Sequence, residues 1–168
     1  MEKIRRTTYE LWIEDELSRM YLYSRFPQTL QYKQHGDVNV YQHCINVALM
    51  SCQIAWRFNL NVNYSSLIRG SLLHDYFLYD WHEPRQEHRL HGFTHPRTAL
   101  KNAQADLELT SIETDIILRH MFPLIPVPPN CLESWIVCVA DKVCTMKEIL
   151  RFSDDKILKS CGAYRYEL

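Results

Sequence analysis

"LLHDYFLYDWH", residues 72–82, is the stretch on which the reading of this chain turns. Its apolar run closes on His74 and Asp75, side by side. If Leu72 and Leu73 end a buried helix, Asp75 is carried into the interior with its charge. A carboxylate is rarely buried there unless it is paired or holds a cation. The pair is therefore either a polar helix end or half of a catalytic site, and the rest of the chain has to decide.

The surrounding 168 residues suffice for one domain with a proper core. Hydrophobic residues make up 46% and charged residues 23%, an ordinary globular balance. A formal net charge of -1 gives no electrostatic basis for holding nucleic acid or an anionic membrane. Only four glycines occur and the apolar spacing is mostly helical, so an all-α domain over residues 1–168 is expected. The six cysteines (Cys44, Cys52, Cys131, Cys138, Cys144 and Cys161) form no C-x-x-C pair, and most lie among apolar residues, as reduced thiols do. Met1 to Arg6 leads straight into an amphipathic segment unlike a signal peptide. No run reaches the roughly 18 apolar residues of a membrane helix. A cytoplasmic location is the expectation.

Thr7 and Glu10 have the spacing of a capping box and open a first helix over about residues 8–24, stopped by Pro27. After the polar turn "KQHGDVNV", Asn39 caps a long helix with Val40, Cys44, Val47, Ala48, Ile54, Ala55 and Phe58 on its apolar face. A third helix is expected over about residues 65–75. Residues 79–95 break the pattern with Pro84, Gly92 and four of the eight histidines, and a loop of that length in a compact domain is usually functional. Pro96 fits the first turn of a helix ending near Asp106. Thr110 and Glu113 form another capping box ahead of Ile116, Ile117 and His120. Four prolines in "MFPLIPVPPN" mark an extended loop, after which Asn130 is expected to cap the last long helix. Trp135, Val139, Val143 and Met146 are its expected buried stripe, and a tail helix is expected over residues 153–159.

Residues able to carry chemistry fall on separate segments: His43, the His74–Asp75 pair, His95, His120 and Asp141. A lone histidine on a helix is ordinarily surface or satisfied core. Asp141 is harder to dismiss. It follows Ile136, Val137, Val139 and Ala140 in the most apolar helix, where an unpaired carboxylate is costly or stays protonated. A cation resolves that cost for Asp141 and Asp75 alike.

The order His…His-Asp…Asp, carried by His43, His74, Asp75 and Asp141, resembles the signature of the HD-domain metal-dependent phosphohydrolases. The intervals are 31 residues from His43 to His74 and 66 from Asp75 to Asp141, and they fit that family's helix lengths. His95 and His120 stand where the two-metal branches place two further ligands. The likeness runs from about residue 34 to 150 and looks closest to small stand-alone HD proteins with a "QHG…Y-x-H" stretch, here Gln34 to His43.

The resemblance implies an HD-type bundle of six or seven helices around a central metal site. It implies that His43, His74 and Asp141 hold one divalent ion, that His95 and His120 hold a second, and that Asp75 bridges the two. If His95 and His120 are bystanders, a one-ion site remains. All six donors are nitrogen or oxygen, which suits Fe, Mn, Zn, Ni or Mg. The implied reaction is hydrolysis of a phosphate ester of a nucleotide or other small phosphorylated metabolite. A bridging hydroxide would attack phosphorus, with Asp75 and His74 at the catalytic centre. The alternative is a non-catalytic metal- or nucleotide-binding sensor module, and oxygen activation is a third route.

Many relatives follow the pair with Ile-Gly-Lys, whose lysine meets phosphate, and here Tyr76-Phe77-Leu78 stands instead. Anchoring then falls to other groups. Lys142 beside Asp141 and Arg97 near His95 are candidate phosphate contacts. His35, Asp80, His82, Arg85, His88 and His91 are candidates for the pocket wall or a proton relay.

Overall fold

Local capping chemistry sets several helix starts in the computed structural model, which describes residues 7–35, 38–83 and 90–150, His35 by its backbone alone. The helices are α1 (Thr8–Tyr23), α2 (Val40–Arg57), α3 (Tyr64–Leu73), α4 (His91–Asp106), α5 (Ser111–Arg119) and α6 (Leu132–Ile149). Capping boxes form at Thr7–Glu10, Asn39–Gln42 and Thr110–Glu113, serving backbone N–H groups that a first turn leaves unpaired. Between α1 and α2 the chain makes a 3₁₀ turn (Phe26–Gln31) with Pro27 near its start. A small antiparallel hairpin follows, β1 (Lys33–His35) with β2 (Val38–Asn39).

Helix α2 is the spine: it packs most extensively on α3 and α6, while α5 closes the bundle against both of those. Helix α4 lies on α5, and α1 crosses α2 and α3. Ile13, Met20, Phe26, Ile45, Leu49, Leu67, Leu72 and Ile116 are fully buried between these layers. Each such side chain contributes roughly 1.5–3 kcal/mol relative to exposure. Helices α3 and α5 meet at Gly70, where a Cβ would stand 2.5 Å from Ile116 Cδ1. The architecture is the all-α bundle expected, and no described helix is long and apolar enough to cross a membrane.

Several local expectations are corrected. On α6 the stripe faces out: Trp135 is 42%, Val139 50% and Met146 62% exposed, with Val143 only half-buried. The buried face carries Ser134, Val137, Ala140, Asp141, Cys144 and Glu148. This helix is apolar on two faces, and its polar groups with interior partners decide which one turns inwards. Asn130 does not cap α6. Cys131 holds that position, and Asn130 donates twice to Asp115, from N at 2.9 Å and Nδ2 at 2.8 Å. Helix α4 begins at His91, so Pro96 lies inside it. Thr94 Oγ1 and His95 Nδ1 donate to the carbonyls of Leu90 and His91 there, serving first-turn acceptors from side chains. The hairpin stands where only a polar turn was expected, and the 3₁₀ turn follows α1 ahead of it. Phe58, expected on the apolar face of α2, ends that helix and is 70% exposed, because it lies past the last turn that packs on the core. The expected tail helix lies outside the described residues.

Candidate metal centre

Five helices deliver six side chains to one point in the bundle. His43 projects from α2, His95 from α4 and Asp141 from α6. His74 and Asp75 sit just past the end of α3, in a turn closed by Tyr76 N donating to Leu73 O at 3.1 Å and Phe77 N to Asp75 O at 2.8 Å. His120 caps the end of α5. All six residues are buried, none more than 8% exposed.

The imidazoles share one orientation. Nδ1 of His74 lies 2.7 Å from Ser71 O, that of His95 2.9 Å from His91 O, and that of His120 2.9 Å from Ile117 O. Carbonyl oxygens only accept, so in all three rings Nδ1 carries the hydrogen and Nε2 is left as the inward atom. His43 Nδ1 is braced likewise by Glu148 Oε2 at 2.8 Å. An imidazole fixed through its outer nitrogen in this way is the usual support of a metal-ligating histidine.

Asp75 lies between two sets of these rings. Its Oδ2 is 3.7 Å from His43 Nε2 and 3.5 Å from His74 Nε2. Its Oδ1 is 3.1 Å from His95 Nε2 and 3.5 Å from His120 Nε2. Asp141 Oδ1 completes the first set, 3.2 Å from His43 Nε2 and 3.8 Å from His74 Nε2. Two donors at about 2.1 Å from one ion in tetrahedral array stand about 3.4 Å apart, so this spacing is one that could hold an ion.

Two observations show that the residues fit such an ion. The buried atoms His74 Nε2 and Asp75 Oδ1 have no hydrogen-bond partner despite these short approaches, because the atoms aim at shared space rather than at each other. His95 Nε2 and His120 Nε2 are 2.9 Å apart, with both Nδ1 hydrogens committed to carbonyls. Two neutral rings so placed oppose lone pair to lone pair, and a cation relieves it. Groups His43–His74–Asp141 and His74–Asp75–His120 each bring ligand atoms within 4.8 Å of one another.

The electrostatics differ across the cluster. Burial disfavours charge on His43, but Asp141 and Glu148 outweigh it and raise the ring to about 10. His74 is also raised well above the usual imidazole value: burial opposes this, while the charge of Asp75 drives it. Asp75 is lowered well below the carboxylate range, against its burial, by His74 and His95, and Asp141 is lowered by His43 and His74. His120 moves the other way, lowered chiefly by burial.

A cavity of about 950 Å³ opens onto Asp75, His95, His120 and Asp141. Of the other expected site residues, Lys142 and His91 line it, while Arg97 is exposed on α4 and does not. Asp80 and His82 pair with each other at 3.0 Å and are also absent from its lining. The His35 side chain, Arg85 and His88 lie outside the described residues.

Residue-by-residue reading passed over three supports. Gln34, 6% exposed, donates from Nε2 to Asp75 Oδ2 at 2.6 Å. Glu148 holds His43 and is itself held by Asn46 Nδ2 at 3.1 Å. The signal for Glu148 was its place seven residues after Asp141, two turns along the same buried face.

Compared with known families, residues 40–146 match the HD-domain model, a span that contains all six donors. No curated protein and no solved structure matches the chain. Fold, donor set and match point the same way: the chain belongs to the HD-domain family, a superfamily of metal-dependent phosphohydrolases.

Proposed function

We propose that this chain, as a single domain of residues 1–168, hydrolyses a phosphate ester of a nucleotide or other small phosphorylated metabolite with two divalent ions. His43, His74 and Asp141 would hold one ion, His95 and His120 the other, and Asp75 would stand between them. The observation that carries this is the common orientation of the four imidazoles, which leaves four inward Nε2 atoms and two carboxylates converging beside an open cavity.

Ions bound there supply Lewis acidity towards phosphoryl oxygens and lower the pKa of water. The chain's part is positioning. Asp75 turns one oxygen to each set of rings, and the amide of Gln34 fixes its Oδ2. Glu148 and the three carbonyls lock the imidazoles, so the shell needs little rearrangement on loading. Burial of Tyr79, with Asp75 nearby, pushes its phenol up to about 12, so at neutral pH it stays a donor, 2.9 Å from His91 Nδ1.

The test is a panel of nucleotides and phosphoesters with added Mn²⁺, Co²⁺ or Ni²⁺. Phosphate release that disappears in His74→Ala is expected. Metal bound with no release across the panel would favour the non-catalytic sensor instead.

A further inference from the structure

The cavity beside the donors is lined by residues of two chemical kinds: Asp75, His95, His120 and Asp141 on the one hand, and Trp81, Met121, Pro123, Leu124 and Met146 on the other. Among the described lining residues the one fixed cation is Lys142, and its ammonium already donates to His120 O at 3.0 Å and Cys138 O at 3.2 Å. Sites that read several phosphate groups bring several Arg or Lys forks to bear on them, and among the described lining residues Lys142 has no second Arg or Lys beside it. Within the apolar lining Trp81 is held in place. It is stacked on His91 (5.0 Å, 10°) and on His82 (3.9 Å, 29°), and His91 stacks in turn on His95 (4.6 Å, 20°). A fixed indole and apolar neighbours next to charged donors suit a ligand with one anionic end and an apolar body, because the indole needs no ordering on binding.

We propose that the substrate carries a single phosphoryl group on a weakly charged, apolar body of ring size, as an aryl or alkyl phosphate does, rather than a sugar phosphate or a nucleoside polyphosphate. This rests on the hydrolytic reading above. Water adds through oxygen to phosphorus, the bond from phosphorus to the ester oxygen breaks, and that oxygen leaves with a proton. Inorganic phosphate and an apolar alcohol or phenol are the products.

The test titrates Mn²⁺-loaded protein calorimetrically with three phosphonates: 1-naphthylmethylphosphonate, methylphosphonate and 3-phosphonopropionate. The naphthyl compound should bind at least about tenfold tighter than methylphosphonate, from the apolar area it buries. Leu124→Ser, at a partly exposed wall position, should cut that ratio at least about threefold. Equal affinities, or a preference for 3-phosphonopropionate, would overturn the proposal. So would faster phosphate release from ATP or ribose 5-phosphate than from 1-naphthyl phosphate. Tight naphthylmethylphosphonate binding with no ester hydrolysed would instead sink the hydrolytic reading and leave the ligand class standing.

Discussion

The two sets of donors around Asp75 are built differently. The inner set, His43, His74 and Asp141, comes from α2, the spine of the bundle, and from α3 and α6, the helices packed most extensively on it. Its His43 is braced by a carboxylate, Glu148, and neighbouring carboxylates raise both of its rings above the usual imidazole value against their burial. The outer set, His95 and His120, comes from α4 and α5 and borders the cavity. Backbone carbonyls brace both rings, and His120 is pushed towards the neutral form. The inner set thus places carboxylates against both nitrogens of His43, whereas the outer set brings two Nε2 atoms to 2.9 Å of each other. On the proposed two-ion reading, the inner set belongs to the framework of the bundle and the outer set is the half beside the cavity.

The largest effect should come from the residue common to both. Asp75→Ala removes the carboxylate that faces each set, so elemental analysis of the purified, folded protein should find metal lost from both. Unchanged metal content would remove the basis for the comparison. Next come the single-set variants. His120→Ala should remove one equivalent of metal and leave the other, whereas His43→Ala should weaken the inner ion and loosen the bundle. If His120→Ala strips all metal while His43→Ala strips none, the assignment of framework and open half is reversed. Glu148→Gln is milder, because it keeps the shape and only weakens the brace on His43. It should lower inner-ion affinity by roughly 10-fold, the low end of what such outer partners contribute, and a competition titration with a chelator would measure it.

The same contrast explains what could be read from the sequence. The inner donors were legible because a carboxylate after Leu72–Leu73, or after Val139–Ala140, has no cheap place in a helical core. The helix starts were legible because a capping box is a local bargain among four residues. The supports were not, since Gln34 and Glu148 matter only once chain segments 41 and 105 residues apart have met. The inward face of α6 was misjudged for a related reason. Trp135, Val139 and Met146 have the period of a buried stripe, yet the face holding Asp141 and Glu148 turns in because its polar groups find partners at the centre. Pro96 misled because a first-turn proline is the commoner case, while here α4 starts five residues earlier, at His91.

The smallest effect tests the clasp that holds the outer helix to the inner turn. Tyr76, next to Asp75, accepts at its carbonyl from Asn102 Nδ2 (2.9 Å) and donates its hydroxyl to Asp106 Oδ2, both partners on α4. Arg25 grips the same carboxylate through Nη2 at 2.8 Å and Nε at 3.0 Å. Burial raises the Asp106 carboxyl, but the hydrogen bonds from Arg25 and Tyr76 prevail and hold it below the ordinary 3.8. A group depressed on folding contributes stability above its unfolded pKa and loses it as pH falls through the folded value. Arg25 is partly exposed, so the ion pair itself adds little. The buried Tyr76 hydroxyl is the larger stake, and Asp106→Ala should cost about 1–3 kcal/mol at pH 7 by leaving it unpaired. Asp106→Asn keeps an acceptor for that hydroxyl and removes only the charge, so its cost should be smaller. Denaturant titrations of the metal-free proteins at falling pH should show the gap between wild type and Asp106→Asn closing below about pH 4, where the unfolded wild-type Asp106 takes up a proton and the folded one still lacks it. A gap that stays constant to pH 3 would mean that shape, not charge, joins α4 to the turn that presents Asp75.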